Sequence, residues 1–150
     1  MALHLNTKID IEAAPAAVWG VLSDLPSYPS WNPFIREASG TLAAGERLDI
    51  ELQPARGRAM RFRPTVLAAE ADRELRWRGR FLVRGLFDGE HRFAIEPTAR
   101  GSRLVQEERF TGMLVPFLTL GLRRGTLPAF ERMNEAVKER AEAQTARVAA

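Results

Sequence analysis

The sequence predicts an α+β fold in which one bent antiparallel sheet is closed by a single long C-terminal helix. Three observations carry this. Segment after segment between residues 3 and 111 alternates apolar and polar side chains with a period of two, as half-buried strands do because successive side chains point to opposite faces. From about Met113 to Arg147 the period becomes helical. The apolar phase of the strands also carries a few polar residues, His91 most clearly. An inner face of that kind is better suited to holding a ligand than to packing alone.

The elements follow in order. Leu3, Leu5, Thr7, Ile9 and Ile11 alternate against His4, Asn6, Lys8, Asp10 and Glu12 in a first strand. Pro15 suits a first helical position, and a short helix over Pro15–Ser23 presents Val18, Trp19, Val21 and Leu22. Residues 25–34 hold three prolines and three aromatics and cannot form one regular helix. They predict a compact turn or a second very short helix around Tyr28–Asn32. A strand near Ile35–Ser39 and a turn at Ala43–Gly45 come next.

Leu48, Ile50 and Leu52 then alternate with Asp49, Glu51 and Gln53, and residues 54–58 make a hairpin loop. Met60, Phe62, Pro64 and Val66 form the inward phase of one longer strand. Pro64 donates no backbone hydrogen bond, which suggests a bulge or an edge there. Leu75, Trp77 and Phe81 oppose Arg76, Arg78 and Arg80; Phe87, His91, Phe93 and Ile95 oppose Asp88, Glu90, Arg92 and Glu96. After a turn at 97–102, Leu104, Gln106, Glu108 and Phe110 share a phase, with Val105 a competitor for the inside.

The final helix carries a broad apolar stripe that includes Leu114, Phe117, Leu118, Leu122, Leu127, Phe130, Met133, Asn134 and Val137. A break or kink is expected near Gly125–Pro128, with fraying after about residue 143. The expected order is strand, one or two short helices, six strands, long helix. No repeat or linker interrupts it, so residues 1–150 read as a single domain.

Composition narrows the function classes. The chain has 150 residues, 45% hydrophobic and 27% charged, which excludes a disordered protein. Cysteine is absent, which excludes disulfides and thiolate chemistry. Two histidines are too few for a multi-histidine zinc site, and no cofactor motif of any kind is present. No apolar run reaches the length of a membrane span, so no stable membrane insertion is expected. The N-terminus alternates like a strand rather than a signal peptide, and the expected compartment is the cytoplasm. The net charge is +3 and the cations are nearly all arginine. Arg61, Arg63, Arg76, Arg78, Arg80 and Arg92 fall on the polar phase of strands among acids such as Glu74 and Glu90. That describes a solvated face with cross-strand pairs, and no nucleic-acid partner is expected.

Two stretches, IDIEAAPAAVWGVLSDLPSYPSWNPFI at 9–35 and GSRLVQEERFTGMLVPFL at 101–118, resemble the START-like (SRPBCC) superfamily. The opening stretch is similar to its polyketide cyclase/dehydrase-like branch. The resemblance covers nearly the whole chain and implies the helix-grip fold: a seven-stranded sheet wrapped around the long helix, two short helices after strand 1, and an elongated cavity between sheet and helix. The superfamily hosts many activities, so the fold by itself names none.

The expected cavity wall takes Leu52, Met60, Phe62 and Val66 from the middle strands and Trp77, Phe81, Phe87, His91 and Phe93 from the next two. The last strand adds Gln106, Glu108 and Phe110, and the helix adds Leu118, Leu122, Phe130 and Met133. Such a lining suits a small hydrophobic or aromatic molecule, a lipid, polyketide or similar, held by area burial. His91, Gln106, Glu108 and Asn134 are the polar candidates for orienting it. If the turn centres on 98–101, Glu108 lies across the hairpin from His91, and the pair becomes the best available acid/base constellation for a cyclase- or dehydratase-like enzyme. A purely structural pair at the sheet rim is the alternative. No Ser-His-Asp arrangement is legible. Val66→Trp or Phe93→Trp is expected to fill the cavity. Residues 113–122 read either as a membrane-touching flap or, preferred, as the cavity-facing start of the helix. An interaction role through the arginine-rich face or that flap, and a homodimer, stay open.

Overall fold

The computed structural model describes residues 2–81 and 83–150. The chain runs β1 (Ala2–Ile11), α1 (Pro15–Ser23), a 3₁₀ helix (Leu25–Ser30), β2 (Ile35–Ser39), β3 (Asp49–Leu52), β4 (Met60–Phe62), β5 (Thr65–Glu70), β6 (Glu74–Phe81), β7 (Phe87–Thr98), β8 (Gly101–Thr111) and α2 (Val115–Ala149). All pairing is antiparallel, in a five-stranded sheet ordered β1-β8-β7-β6-β5 and a three-stranded sheet ordered β2-β3-β4.

The expected seven strands become eight because the run from Met60 to Val66 divides at Arg63–Pro64. Pro64 cannot donate to a ladder. Its carbonyl instead accepts from Leu48 N at 2.9 Å, and Val66 N donates to Glu46 O at 2.8 Å. With an isolated bridge between Arg47 and Thr65, these bonds fasten the small sheet to the edge of the large one. The result is one bent surface turning a corner at the proline.

The proline-rich stretch is held by its own polar groups. The Tyr28 hydroxyl donates to Leu22 O at 2.5 Å in a site closed to solvent. Asn32 Oδ1 accepts from Phe34 N at 3.0 Å and from Ile35 N at 2.8 Å, which turns the chain into β2. Trp31 packs edge-on against Tyr28 and donates to Ser27 Oγ. It belongs to this substructure and does not line the cavity.

The long helix α2 crosses the concave side of the sheet. Its C-terminal half packs on β1 and α1 through Phe130, Met133, Val137 and Ala141, all fully buried. Its N-terminal half is different: between Val115 and Gly125 no residue is buried. The break expected near Gly125–Pro128 does not occur, and α2 continues to Ala149. Pro128 removes the N–H that the carbonyl of Arg124 would accept. Both residues are exposed, so solvent can take that carbonyl. No helix among the described residues is long and apolar enough to cross a membrane.

Candidate functional site

The strand register builds the site. Trp77 on β6, His91 on β7, Glu108 on β8 and Leu5 on β1 form one row across the large sheet. The row behind is Leu75, Phe93, Gln106 and Thr7; the row in front is Gly79, Gly89 and Phe110, followed by Phe81 beside Phe87. On β8 the inside belongs to Leu104, Gln106, Glu108 and Phe110, while Val105 is only half-buried.

His91 is fixed on every side. Its Nδ1–H donates to Glu108 Oε2 at 2.5 Å, and the Gln106 side-chain amide donates to its Nε2 at 3.2 Å. With the amide donating to Nε2, the ring proton lies on Nδ1 and faces the carboxylate. The ring stacks on Trp77 at 5.2 Å and meets Phe130 edge-on at 5.0 Å. Gln106 also points its amide at Met133 Sδ, 3.6 Å away, while its Oε1 is buried without a partner. Both imidazole nitrogens are thus occupied by protein. The group the pair offers to the cavity is the Glu108 carboxylate, since Glu108 and not Gln106 stands in the wall.

The cavity in front of this pair has a volume of about 190 Å³. Of the wall predicted from sequence, Leu52, Met60, Phe62, Trp77, Phe81, Phe87, His91, Glu108, Phe110 and Leu122 line it. Val66, Phe93, Gln106, Phe130 and Met133 are buried but stand behind the wall in the packed core. Their inward phase was legible, but the depth at which the core closes was not. Val66→Trp and Phe93→Trp would therefore crowd the core and not fill the cavity. Leu118 is exposed. It lies one helical turn, about 6 Å, before Leu122, where α2 has run past its cover. Asn134 is also away from the cavity; its Nδ2 donates to Thr7 Oγ1 at 2.9 Å.

Several lining residues escaped the sequence reading: Phe34, Pro54, Arg56, Gly79, Gly89, Gly121, Gly125 and Thr126. Gly79 and Gly89 were detectable. Both sit on the inward phase of their strands, and they pair with each other. A glycine there makes space where a side chain would make wall. A Cβ on Gly89 would lie 2.6 Å from Glu108 Oε1, and one on Gly79 would lie 2.9 Å from the Phe62 ring. Arg56 sits in a loop that carried no signal beyond its turn composition.

A curved antiparallel sheet gripping one long helix over an apolar cavity defines a helix-grip protein of the START-like class. The chain belongs to the family described as polyketide cyclase / dehydrase and lipid transport, whose sequence profile matches residues 2–142. Its fold is similar to that of the Zhui aromatase/cyclase from Streptomyces sp. R1128, with a TM-score of 0.78, 15% identity, and 97% of this chain and 96% of that chain covered. It is also similar to a point mutant of norcoclaurine synthase from Thalictrum flavum in complex with a transition state analogue, with a TM-score of 0.73, 12% identity and 97% of each chain covered. Against the di-domain aromatase/cyclase StfQ from the steffimycin biosynthetic pathway the TM-score is 0.78 at 14% identity. There 97% of this chain spans 52% of that protein, about half its length. No curated protein matches the chain by sequence.

Proposed function

We propose that the cavity binds a small aromatic or hydrophobic molecule of one or two rings, oriented by a hydroxyl or carbonyl group set against Glu108. The observation that carries this reading is the single carboxylate in a mainly aromatic and aliphatic wall, whose other polar side chains are His91, Arg56 and Thr126; the carboxylate is buried and held by His91. An apolar wall with few polar groups is the usual form of a small-molecule site. The volume of about 190 Å³ supports the size class, since an apolar cavity of about 150 Å³ admits benzene.

The test uses two probes of equal shape, naphthalene and 2-naphthol, with binding followed by titration calorimetry. Both are expected to bind the native protein. Glu108→Gln is expected to weaken 2-naphthol by about tenfold or more, the value of a hydrogen bond to a charged group, and to leave naphthalene unchanged. Gly89→Ala, whose Cβ would press on Glu108 Oε1, is expected to act in the same direction. Equal losses for both probes would remove Glu108 from its role.

A second reading, proton transfer of the cyclase or dehydratase kind, is favoured by the 2.5 Å contact between His91 Nδ1 and Glu108 Oε2 at the cavity wall. In that reading Glu108 takes a proton from the carbon beside a ketone, and the Nδ1–H of His91 holds the carboxylate in place. The enolisable bicyclic ketone 2-tetralone tests it. Exchange of its α-protons in D₂O should be accelerated by the native protein and lost in Glu108→Gln; equal rates in the two proteins would leave binding alone.

A further inference from the structure

We propose that the end of the molecule at which the cavity opens is a docking surface for an anionic lipid membrane. The mouth is located by the exposed members of the lining, Arg56, Met60 and Gly121, which lie on the loop before β4, at the first residue of β4 and on the first turns of α2. Seven large hydrophobic residues of the described chain are exposed, and six of them fall in three segments around this mouth, 53–63, 80–86 and 112–130. Phe117 is 84% exposed, Met113 77%, Val83 65% and Leu120 61%. Backbone bonds tie the segments together: Met113 N donates to Gly85 O, Leu114 N to Leu86 O, and Ala55 N to Gly125 O. An apolar concentration of this kind marks an interaction site.

Charge identifies the partner. The three segments contain eight arginines and no aspartate or glutamate. In a chain of net charge +3, the remainder therefore carries −5. Arg61 is committed to Glu37, Asp49 and Glu51. Among the described residues the other seven have no carboxylate at ion-pair distance. Residues 113, 117, 120 and 124 recur at helical spacing, so Phe117, Leu120 and Arg124 share one face of α2. Apolar side chains flanked by arginine on a helix that cannot span a bilayer suit a helix lying in the interface of an anionic membrane. A second copy of this chain suits the face poorly, because a two-fold contact would set arginine against arginine. Docking there places the cavity mouth against the lipid, so an apolar molecule can pass between bilayer and cavity.

Co-sedimentation with vesicles tests this. The native protein is expected to partition onto equimolar phosphatidylcholine and phosphatidylglycerol, to ignore phosphatidylcholine alone, and to be released by high salt. The double variant Phe117→Ser, Leu120→Ser is expected to lower the partition coefficient roughly ten- to a hundredfold. Arg123→Glu with Arg124→Glu is expected to lower it by about 25-fold or more, at about fivefold per guanidinium removed. None of these four residues lines the cavity, so 2-naphthol binding should persist and report that the variants fold; failure of the cavity reading and failure of docking are thus told apart. Absence of partition onto the anionic vesicles overturns the proposal, as does partition that the serine variant leaves unchanged. A native dimer that the serine variant dissociates, with no vesicle binding, would assign the face to self-association instead.

Discussion

Tyr28 is the only tyrosine in the chain, which makes its chemistry easy to isolate. Burial raises its phenol well above the ordinary value, and nearby Asp24 adds to the effect. The folded chain therefore keeps the proton at a pH where the unfolded chain releases it. The unfolded state binds fewer protons above about pH 10, so stability declines as pH rises through that value. Phenolate absorbance should appear only together with loss of folded structure, as a single transition. A phenolate signal that develops while the circular dichroism stays native would contradict the burial. The same scale shows what alternation can and cannot convey. Parity placed Gln106 and Glu108 on one face of their strand, because a period of two admits no other arrangement, but it left open whether that face or the face of Val105 joined His91 on the inside. It could not say that Gln106 would cap the imidazole from behind while Glu108 faced the cavity. That outcome depends on which of two residues on β8, two positions apart, sits deeper against Met133 on α2.

Among the elements, α2 is the one whose period was plain and whose environment was not. A stripe of leucines and phenylalanines predicts a buried face, and from Ala129 to Ala141 the structure supplies one. Over Pro116–Arg124 the same composition meets cavity on one side and solvent on the other. Periodicity reports which residues share a face; it does not report where the neighbouring sheet ends. The consequence is uneven stability along one continuous helix, since local opening follows the apolar contacts an element makes. Backbone amides of residues 119–124 should exchange with D₂O roughly a hundredfold faster than those of residues 130–141. Uniform protection along the helix would mean that something covers its first turns in solution. The split between β4 and β5 follows similar logic. Pro64 gave warning of an irregularity, but whether it made a bulge within one strand or a corner between two sheets rested on pairing with residues 46–48, far back in the chain.

At the scale of the whole molecule, the fold closes by joining its beginning to its end. Strand β1 pairs along its full length with β8, and its last residue stands opposite Ser102. At that junction the β7–β8 turn packs against the passage from β1 into α1, with the Ser102 hydroxyl donating to Ala13 O at 2.6 Å. Gly101 makes the approach possible. Its φ is +149°, and a Cβ there would strike the carbonyl of Ile11 and lie 2.7 Å from Ala13 N. Those are backbone atoms in two paired elements, and neither can move without opening the closure. Gly101→Ala should therefore cost about 3 kcal/mol, lowering Tm by roughly 6–12 °C for a chain of this size. Gly20 supplies the opposite case. It lies inside α1, and a Cβ there would meet nothing within 4 Å. Gly20→Ala should raise stability by about 0.5–1 kcal/mol through helix propensity. The same chemical change is thus expected to have opposite signs at two glycines, decided by what surrounds each one. Thermal unfolding of the two variants checks the pair, and a Gly101→Ala protein as stable as the parent would mean that the closure between β1, α1 and the β7–β8 turn is looser than the hydrogen bonding across it implies.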